Sequence, residues 1–496
     1  MLNIQKKMSN AFFALLSLPA TAMGFALSVQ ISALSWILST RYGLDIHEIG
    51  IVWAAGPIAG IIAQPLVGAL SDKMWFMGGR RRPWIIIGGI LAAIMMLALP
   101  NLEILQKVFV GGDDPQAGLM AIAIIVALTL DLSINVSFNP TRSLVADCTP
   151  HRDRSKGYTW MQTVSGTFGV LAYLIGGTLG NIFLIYFGVA VALLASIIPA
   201  LLITEPRELE EIAQDKVANH TGAASDAKVE ISVQKQKAST RDLIESLLPL
   251  SGFLLYGFYV ILSRLFGLHI DATVSVAGYA LGVIEFVSLV LLVLSAVLIL
   301  PNLIKSNARS NEFQKILLAH SFTWIGVQTM FIYAFFYLTN ELGLGDEAGK
   351  VNSIAFFILS LVSAVLPVLV LNGFSKRIGM VRTHLICIFI MALGYAGVLL
   401  IGHTIIMYYL ALAVVGIGWA SVVSLPFAIM SEKVDQKKMG LYMGIFNLAV
   451  VLPQLVASFK VGEVVNSAAD KSVVFIIAAI TLGISGVLWL FVKNDK

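Results

Sequence analysis

Cysteine and charge are what this sequence has least of. Its 496 residues include two cysteines, Cys148 and Cys387, in different halves of the chain and outside any metal-ligand spacing. No disulfide framework and no metal site follow from them. Charged residues make up 12% of the chain against 58% hydrophobic, and the mean hydropathy of +0.86 exceeds what the core of a water-soluble domain needs. Catalytic signatures are lacking too: the apolar runs hold no His-Glu-x-x-His, nucleophile elbow or paired acidic motif, which argues against a membrane-embedded enzyme, and no cofactor is implied. The net charge of +4 is no sign of nucleic acid binding, because Lys and Arg in such a chain mostly report loop orientation.

What the sequence does have is apolar runs of about 20 residues, the length that spans a bilayer. They fall near 11–38, 48–70, 84–100, 117–139, 158–180 and 181–204, and again near 315–339, 351–371, 384–402, 405–430, 439–459 and 472–492. The first, after Lys6 and Lys7, continues past residue 35 and is too long for a secretory signal, so a retained helix is expected. Residues 205–241, rich in Glu, Lys, Ala and Ser, cannot bury enough apolar area to order themselves and read as a linker. Two further runs, about 245–267 and 275–303, suggest an extra hairpin with lipid-facing packing, giving about 14 helices. Glu285 within it is expected to be structural. The domains are therefore an amino-terminal bundle of six helices over 1–204, a linker over 205–241, an extra hairpin over 242–310 and a second six-helix bundle over 311–496. Basic clusters at Lys73 and Arg80–Arg82, at Arg142 to Lys156, at Lys376–Arg382 and at Lys433–Lys438 alternate with loops poor in Lys and Arg. By the positive-inside rule both termini and the linker are cytoplasmic.

Two motifs carry chemistry. After the second helix stand Gly68, Asp72 and Arg80-Arg81-Arg82: Gly68 permits close helix approach, and Asp72 can pair with the arginines in a breakable gate. The fourth helix carries Asp131, Asn135 and Arg142 at offsets of 0, 4 and 11 residues, within about 40° of one face at 100° per residue. A carboxylate inside an apolar run costs roughly 2.5–3.5 kcal/mol on insertion scales, so its default reading is functional, and Asp131 suits reversible proton binding with Arg142 assisting release. Amide and aromatic groups that suit a polyol are Gln30, Gln64, Asn135, Gln162, Trp324, Gln328, Asn447 and Gln454, with Trp419 as a further platform.

The loop resembles the signature of the major facilitator superfamily, with a degraded copy at Gly373 to Gly379. Narrower features are Gly24-Phe25-Ala26-Leu27, Ala55-Gly56-Pro57 with Gln64-Pro65, and Gly79 to Pro83. In the second half they are His320 to Trp324 with Phe336-Tyr337, Ser424-Leu425-Pro426-Phe427-Ala428, and Gly444-Ile445 through Asn447 to Pro453-Gln454. Together these resemble plant sucrose/proton symporters and their animal and bacterial relatives, of the glycoside-pentoside-hexuronide and solute carrier 45-like type. The resemblance implies an all-α membrane protein with two six-helix bundles, a proton-carrying acid at Asp131, and an arginine at Arg142. Asn340 stands where the family usually places an acid, His47 only roughly matches an external histidine, and the extra hairpin departs from the family's twelve helices.

The expectation is a monomeric proton-coupled symporter importing a disaccharide (maltose, sucrose or a related α-glucoside), with sugar and proton as partners, in a bacterial inner membrane. One charge crossing 100 mV is worth about 2.3 kcal/mol, enough to concentrate a neutral sugar roughly fifty-fold. The alternatives are a proton-coupled exporter of amphipathic compounds and, from another class, a membrane-embedded enzyme.

Overall fold

The computed structural model describes residues 3–111, 118–150, 153–206, 245–268, 270–276, 279–301, 308–434 and 439–494. It is almost entirely helical, as the apolar periodicity requires. Ten helices among the described residues are long and apolar enough to cross a membrane, and Ile46–Ile61, Val283–Ile299 and Val473–Trp489 are shorter apolar helices. Beyond Pro206, the stretch expected as a linker lies outside the described residues up to 244.

Several expected single runs are broken, and the breaks have local causes. The run near 48–70 is two helices, Ile46–Trp53 and Ala55–Lys73. The first is fixed by a capping box in which Asp45 accepts from the Glu48 N–H at 2.8 Å and Glu48 accepts from the Asp45 N–H at 2.8 Å. The run near 351–371 ends in a π-turn over Pro367–Leu371, and the run near 439–459 passes through Pro453 into a π-turn over Ala457–Val461. Proline removes a backbone donor and crowds the preceding turn, so a wider turn is a low-cost outcome. The run near 275–303 is corrected more strongly. Thr273–Val276 and Tyr279–Gly282 form an antiparallel pair, with Thr273 opposite Gly282, and only Val283–Ile299 is helix. Alternating Thr, Val and Ser favour a strand over a helix turn.

The chain forms two compact units by contact. The first holds 1–30, 59–172 and 182–237. In it, helix Arg82–Ala98 runs against Leu119–Cys148, and Gly88 allows the contact, since a Cβ there would sit 2.7 Å from the Ser133 carbonyl. Helix Asn181–Leu202 turns Phe183, Tyr186, Phe187, Leu194, Ile198 and Leu201 outward, an apolar face suited to lipid. Helix Arg154–Leu179 differs. Its exposed positions up to residue 167 include Tyr158, Thr159, Gln162, Thr163, Gly166 and Thr167, and this polar face explains why it is not among the ten apolar spans. Such a face suits a water-filled cavity rather than hydrocarbon.

The second unit holds 31–58, 173–181 and 238–496. Its centre is helix Ala308–Asn340, buried almost along its whole length against Val473–Trp489 and Met439–Val456. The extra hairpin, Ser251–Phe266 with Val283–Ile299, docks on the latter helix through Gly257, which faces Leu452 and Leu455. At its rim Glu285 pairs with Lys460 at 3.0 Å, Lys460 also holds Glu463 at 2.9 Å, and Arg264 lies 5.8 Å from the Phe459 ring centroid. Val287, Leu289, Val290, Val293, Leu294 and Val297 are exposed on the hairpin's outer side. The Glu285–Lys460 pair is the polar clasp of this docking. Glu285→Gln should cost about 1 kcal/mol, seen as a lower midpoint of thermal unfolding in detergent, while Glu463→Gln, on a more exposed partner, should cost less. Equal midpoints for wild type and Glu285→Gln would leave the docking to apolar contact alone.

Candidate functional site

Helix Leu119–Cys148 carries Asp131 into the interior of the first unit, where its residue is 5% exposed. The described bond to its carboxylate comes from Gln30, 3% exposed, whose Nε2 donates to Oδ2 at 3.0 Å from helix Asn10–Thr40. Asn135 Nδ2 donates to the Asp131 backbone carbonyl at 2.8 Å, one turn back on its own helix. Arg142 is exposed, with its guanidinium 4.1 Å from the Phe138 ring centroid. Eleven residues at 1.5 Å rise place it about 16 Å along the axis from Asp131. The expected shared face is present, but the cation is no contact partner of the acid, because the offset that aligns two residues on a face also separates them along it. Gln162 lies on the exposed polar face of Arg154–Leu179. Gln64 sits on Ala55–Lys73, and its side chain falls outside the described residues.

In the second unit, one stripe of Ala308–Asn340 presents His320, Trp324, Gln328 and Phe331, spaced by one or two helical turns. Gln454 Nε2 donates to Gln328 Oε1 at 3.1 Å. Trp324 meets Trp419 edge to face at 6.0 Å between centroids, and Trp419 meets Phe331 at 5.3 Å. Phe331 continues the cluster to Phe356, and Phe356 to Tyr173. Three of the candidates, Trp324, Gln328 and Gln454, thus lie in one cluster, with Trp419 beside Trp324. Asn447 is half-buried on the helix that carries Gln454, two turns earlier. Amides between aromatic faces are the chemistry that recognises a polyhydroxylated ring.

The expected pairing of Asp72 with the arginines falls on a side chain outside the described residues, and the basic loop has further bonds that are described. Gly68 and Asp72 lie on Ala55–Lys73 with their side chains outside the described residues. Arg81, 7% exposed, donates from Nε to Asp147 Oδ2 at 3.1 Å and from a terminal nitrogen to Ser71 Oγ at 2.8 Å. The Glu205 carboxylate accepts the backbone N–H groups of Arg80 at 2.7 Å, Arg81 at 2.9 Å and Arg82 at 2.6 Å. That places an anion on the N-terminus of helix Arg82–Ala98, where orphan donors and the helix dipole favour it. Arg82 in turn donates to the carbonyls of Ala200 and Leu201 at the end of Asn181–Leu202. Asp147 and Glu205 were not singled out from the sequence. Asp147 lies five residues after Arg142 on the same helix. Glu205, just past the last apolar residues, was read as the first residue of a linker.

A polar cluster in the second unit also escaped the sequence reading. Ser353 Oγ donates to Asn181 Oδ1 at 3.0 Å, Ser32 Oγ donates to the same oxygen at 3.2 Å, and the two serine hydroxyls contact each other. Ser35 Oγ donates to the Ile332 carbonyl at 2.8 Å and accepts from Trp53 Nε1 at 2.9 Å. Nearby, Gly50 lies so close to the Ser458 carbonyl and the Tyr333 hydroxyl that any Cβ there would overlap both. Serines scattered along apolar helices carry no pattern that marks such a cluster in advance.

Residues 16–458 match the model of the Major Facilitator Superfamily, and the chain belongs to that family. It is 27% identical over 173 residues to the General alpha-glucoside permease of Schizosaccharomyces pombe, covering 32% of this chain and 31% of the relative. It is 31% identical over 184 residues to a Sucrose transport protein of Oryza sativa subsp. indica, 35% of each. To the Membrane-associated transporter protein of Homo sapiens it is 28% identical over 135 residues, 27% of this chain and 26% of the relative. The matched stretches span about a third of these relatives' length or less. Among solved structures, the inward open xylose transporter XylE from E. coli superposes with a TM-score of 0.62 at 13% identity, covering 98% of this chain and 97% of that one. The nucleoside transporter NupG gives 0.58 at 13% identity, covering 98% and 100%. At such identity these two agree in fold alone.

The Arg81–Asp147 pair is buried and has further partners, so the two residues should be coupled. A double-mutant cycle of Arg81→Gln and Asp147→Asn, read by thermal unfolding in detergent, should give about 1–3 kcal/mol of interaction energy. An interaction energy near zero would show that each residue acts through its other partners.

Proposed function

We propose that this chain is a proton-coupled symporter that imports a disaccharide, maltose, sucrose or a related α-glucoside, by alternating access. The observation that carries the proposal is Asp131, a carboxyl buried in a spanning helix and held by the neutral amide of Gln30. An amide has both a donor and an acceptor, so after rotation it can serve either the carboxylate or the protonated acid, whereas a cation in its place would hold the acid ionised. Arg142 supplies positive charge at the exposed end of the same face.

The sugar half of the proposal rests on Gln328, Gln454, Trp324 and Trp419, supported by similarity to proteins described as α-glucoside and sucrose transporters. This amide and aromatic set favours a sugar over the amphipathic cargo of an exporter. Gln30, Gln64, Asn135, Gln162 and Asn447 are the further candidates for substrate contact. In this reading 1–204 and 311–496 are the two bundles, 205–241 is the linker and 242–310 the extra hairpin, in a bacterial inner membrane with both termini cytoplasmic. The protein works as a monomer. With that orientation, the cluster of Ser32, Asn181 and Ser353 is an extracytoplasmic gate and the Arg81, Asp147 and Glu205 network lies on the cytoplasmic side, with Gly68, Asp72, Arg80 and Arg82 belonging to the same gate.

Purified protein in liposomes with an internal pH dye, offered a sugar panel, tests the whole reading. Wild type should acidify the interior on sugar addition and accumulate sugar against its gradient. Asp131→Asn keeps size but cannot exchange a proton, so accumulation should vanish while sugar exchange persists, and Arg142→Gln should slow net uptake more than exchange. Acidification and accumulation that survive in Asp131→Asn would remove this residue from the coupling role.

Gly50 offers a separate check of the gate. Because a Cβ would meet a backbone carbonyl that cannot move aside, Gly50→Val should disfavour the packed arrangement. A cysteine placed at Ser353 should then label faster with an impermeant thiol reagent from outside the cell than in the parent protein. An equal labelling rate would count against a gate at this cluster.

A further inference from the structure

His320 is 2% exposed and lies at the head of the stripe that carries Trp324 and Gln328. Trp324 Nε1 donates to His320 Nε2 at 2.9 Å. The imidazole is itself stacked on Phe446, with centroids 4.7 Å apart and planes inclined by 14°. An Nε2 that accepts cannot carry a proton, so the ring is the neutral tautomer with its proton on Nδ1. From residue 313 to 338 every side chain of the helix is buried except Phe322 and Trp324. Phe322 packs on Phe253 of the hairpin. Two positions apart on a helix, the two point to nearly opposite sides, so Trp324 alone opens toward the side of Trp419 and Phe446.

These contacts decide what the indole can offer. Its single polar group is satisfied inside the protein, its edge is held by a ring that is itself held by Phe446, and Trp419 closes a further side. What remains partly exposed is the carbon surface of the indole, held at fixed tilt. A free indole N–H would seek a hydroxyl oxygen and let the ring swing to follow it; with the N–H tied, the ring can recognise only C–H surface. In an α-glucoside the axial glycosidic oxygen interrupts one face of the ring, and the other face presents the axial C–H groups of C2 and C4. An axial hydroxyl at C4, as in an α-galactoside, interrupts that remaining face with a polar group that would lose water without gaining a partner.

We propose that His320 is a positioning residue which fixes Trp324 as a stacking platform, and that this platform selects gluco-configured pyranosides over galacto-configured ones. The inference rests on the sugar-transport reading above and adds to it the ring stereochemistry and the residue that sets it.

The test uses the full-length protein in detergent, with methyl α-glucoside and methyl α-galactoside as probes, read by calorimetry. The Trp324 indole N–H resonance is followed by NMR, assigned by its loss in Trp324→Phe. Wild type should prefer the glucoside by ~10-fold or more. His320→Leu removes the acceptor and should shift the indole resonance and reduce the preference to near unity. His320→Gln places a carbonyl oxygen near the Nε2 position and should restore both. A role in packing alone would treat Leu and Gln alike. If His320→Leu does not fold, His320→Asn, whose carbonyl falls one methylene short, takes its place with the same expectation. Preference retained in the variant lacking the acceptor, or lost equally in His320→Gln, overturns the role of His320 while the transport reading stands. Wild type that binds the galactoside as tightly as the glucoside overturns the selectivity alone, and wild type that binds neither probe overturns the transport reading and this inference with it.

Discussion

A polar group inside hydrocarbon must find its partner within the protein, and that constraint shapes this structure more than any other. Helices satisfy the backbone, which is why the described chain is almost all helix. Side chains then divide into two groups. Most hydroxyls bond back to the carbonyl four residues earlier on their own helix, as Ser17, Thr329 and Thr481 do. A smaller group bonds across helices, and those bonds mark places where function is proposed: Gln30 with Asp131, Gln328 with Gln454, and Asn181 with two serines. Interhelical polar bonds in membranes are individually modest, so their value is as much in fixing geometry as in stability.

Much of this was legible from the sequence because it depended on hydrophobic length. The runs that gave helices gave them at nearly the expected places, and Asp131 stood out as a lone acid in such a run. Trp324, Gln328 and Gln454 were legible as types, an amide or indole in an apolar segment. Their pairing needed the fold, since Gln328 and Gln454 are 126 residues apart. The breaks were harder to read. A proline marks a disturbance but does not say whether the helix kinks, ends or widens into a π-turn, and Ala457–Val461 widened only after Pro453 had passed. The strand pair at 273–282 was absorbed into an apolar run because Val and Ala suit a membrane helix and a strand alike.

Charge misled the reading in two instructive ways. Asp131 and Arg142 share a helical face, which suggests that the cation assists the acid, but a face is a direction and not a distance. Glu205 was read as linker because composition changes there, although it is the anion that closes the N-terminus of a helix more than a hundred residues earlier. Both errors come from treating sequence separation as a guide to electrostatic partnership, which is set by where helix ends meet.

The placement of the Glu205 and Arg82 bonds follows from the same constraint. They join helix termini, where the backbone has orphan N–H and C=O groups that need partners. A carboxylate that bridges three amides, and a guanidinium that caps two carbonyls, satisfy several such groups at once. Neither could be removed deep in hydrocarbon without leaving them unpaired. At the rim, water can take over each bond as it opens, so a network of charge-assisted bonds holds one conformation firmly and still yields at modest cost. Asp131 lies on the other side of this distinction: it is buried within a spanning helix, and its described partner is the neutral amide of Gln30 rather than a charged group.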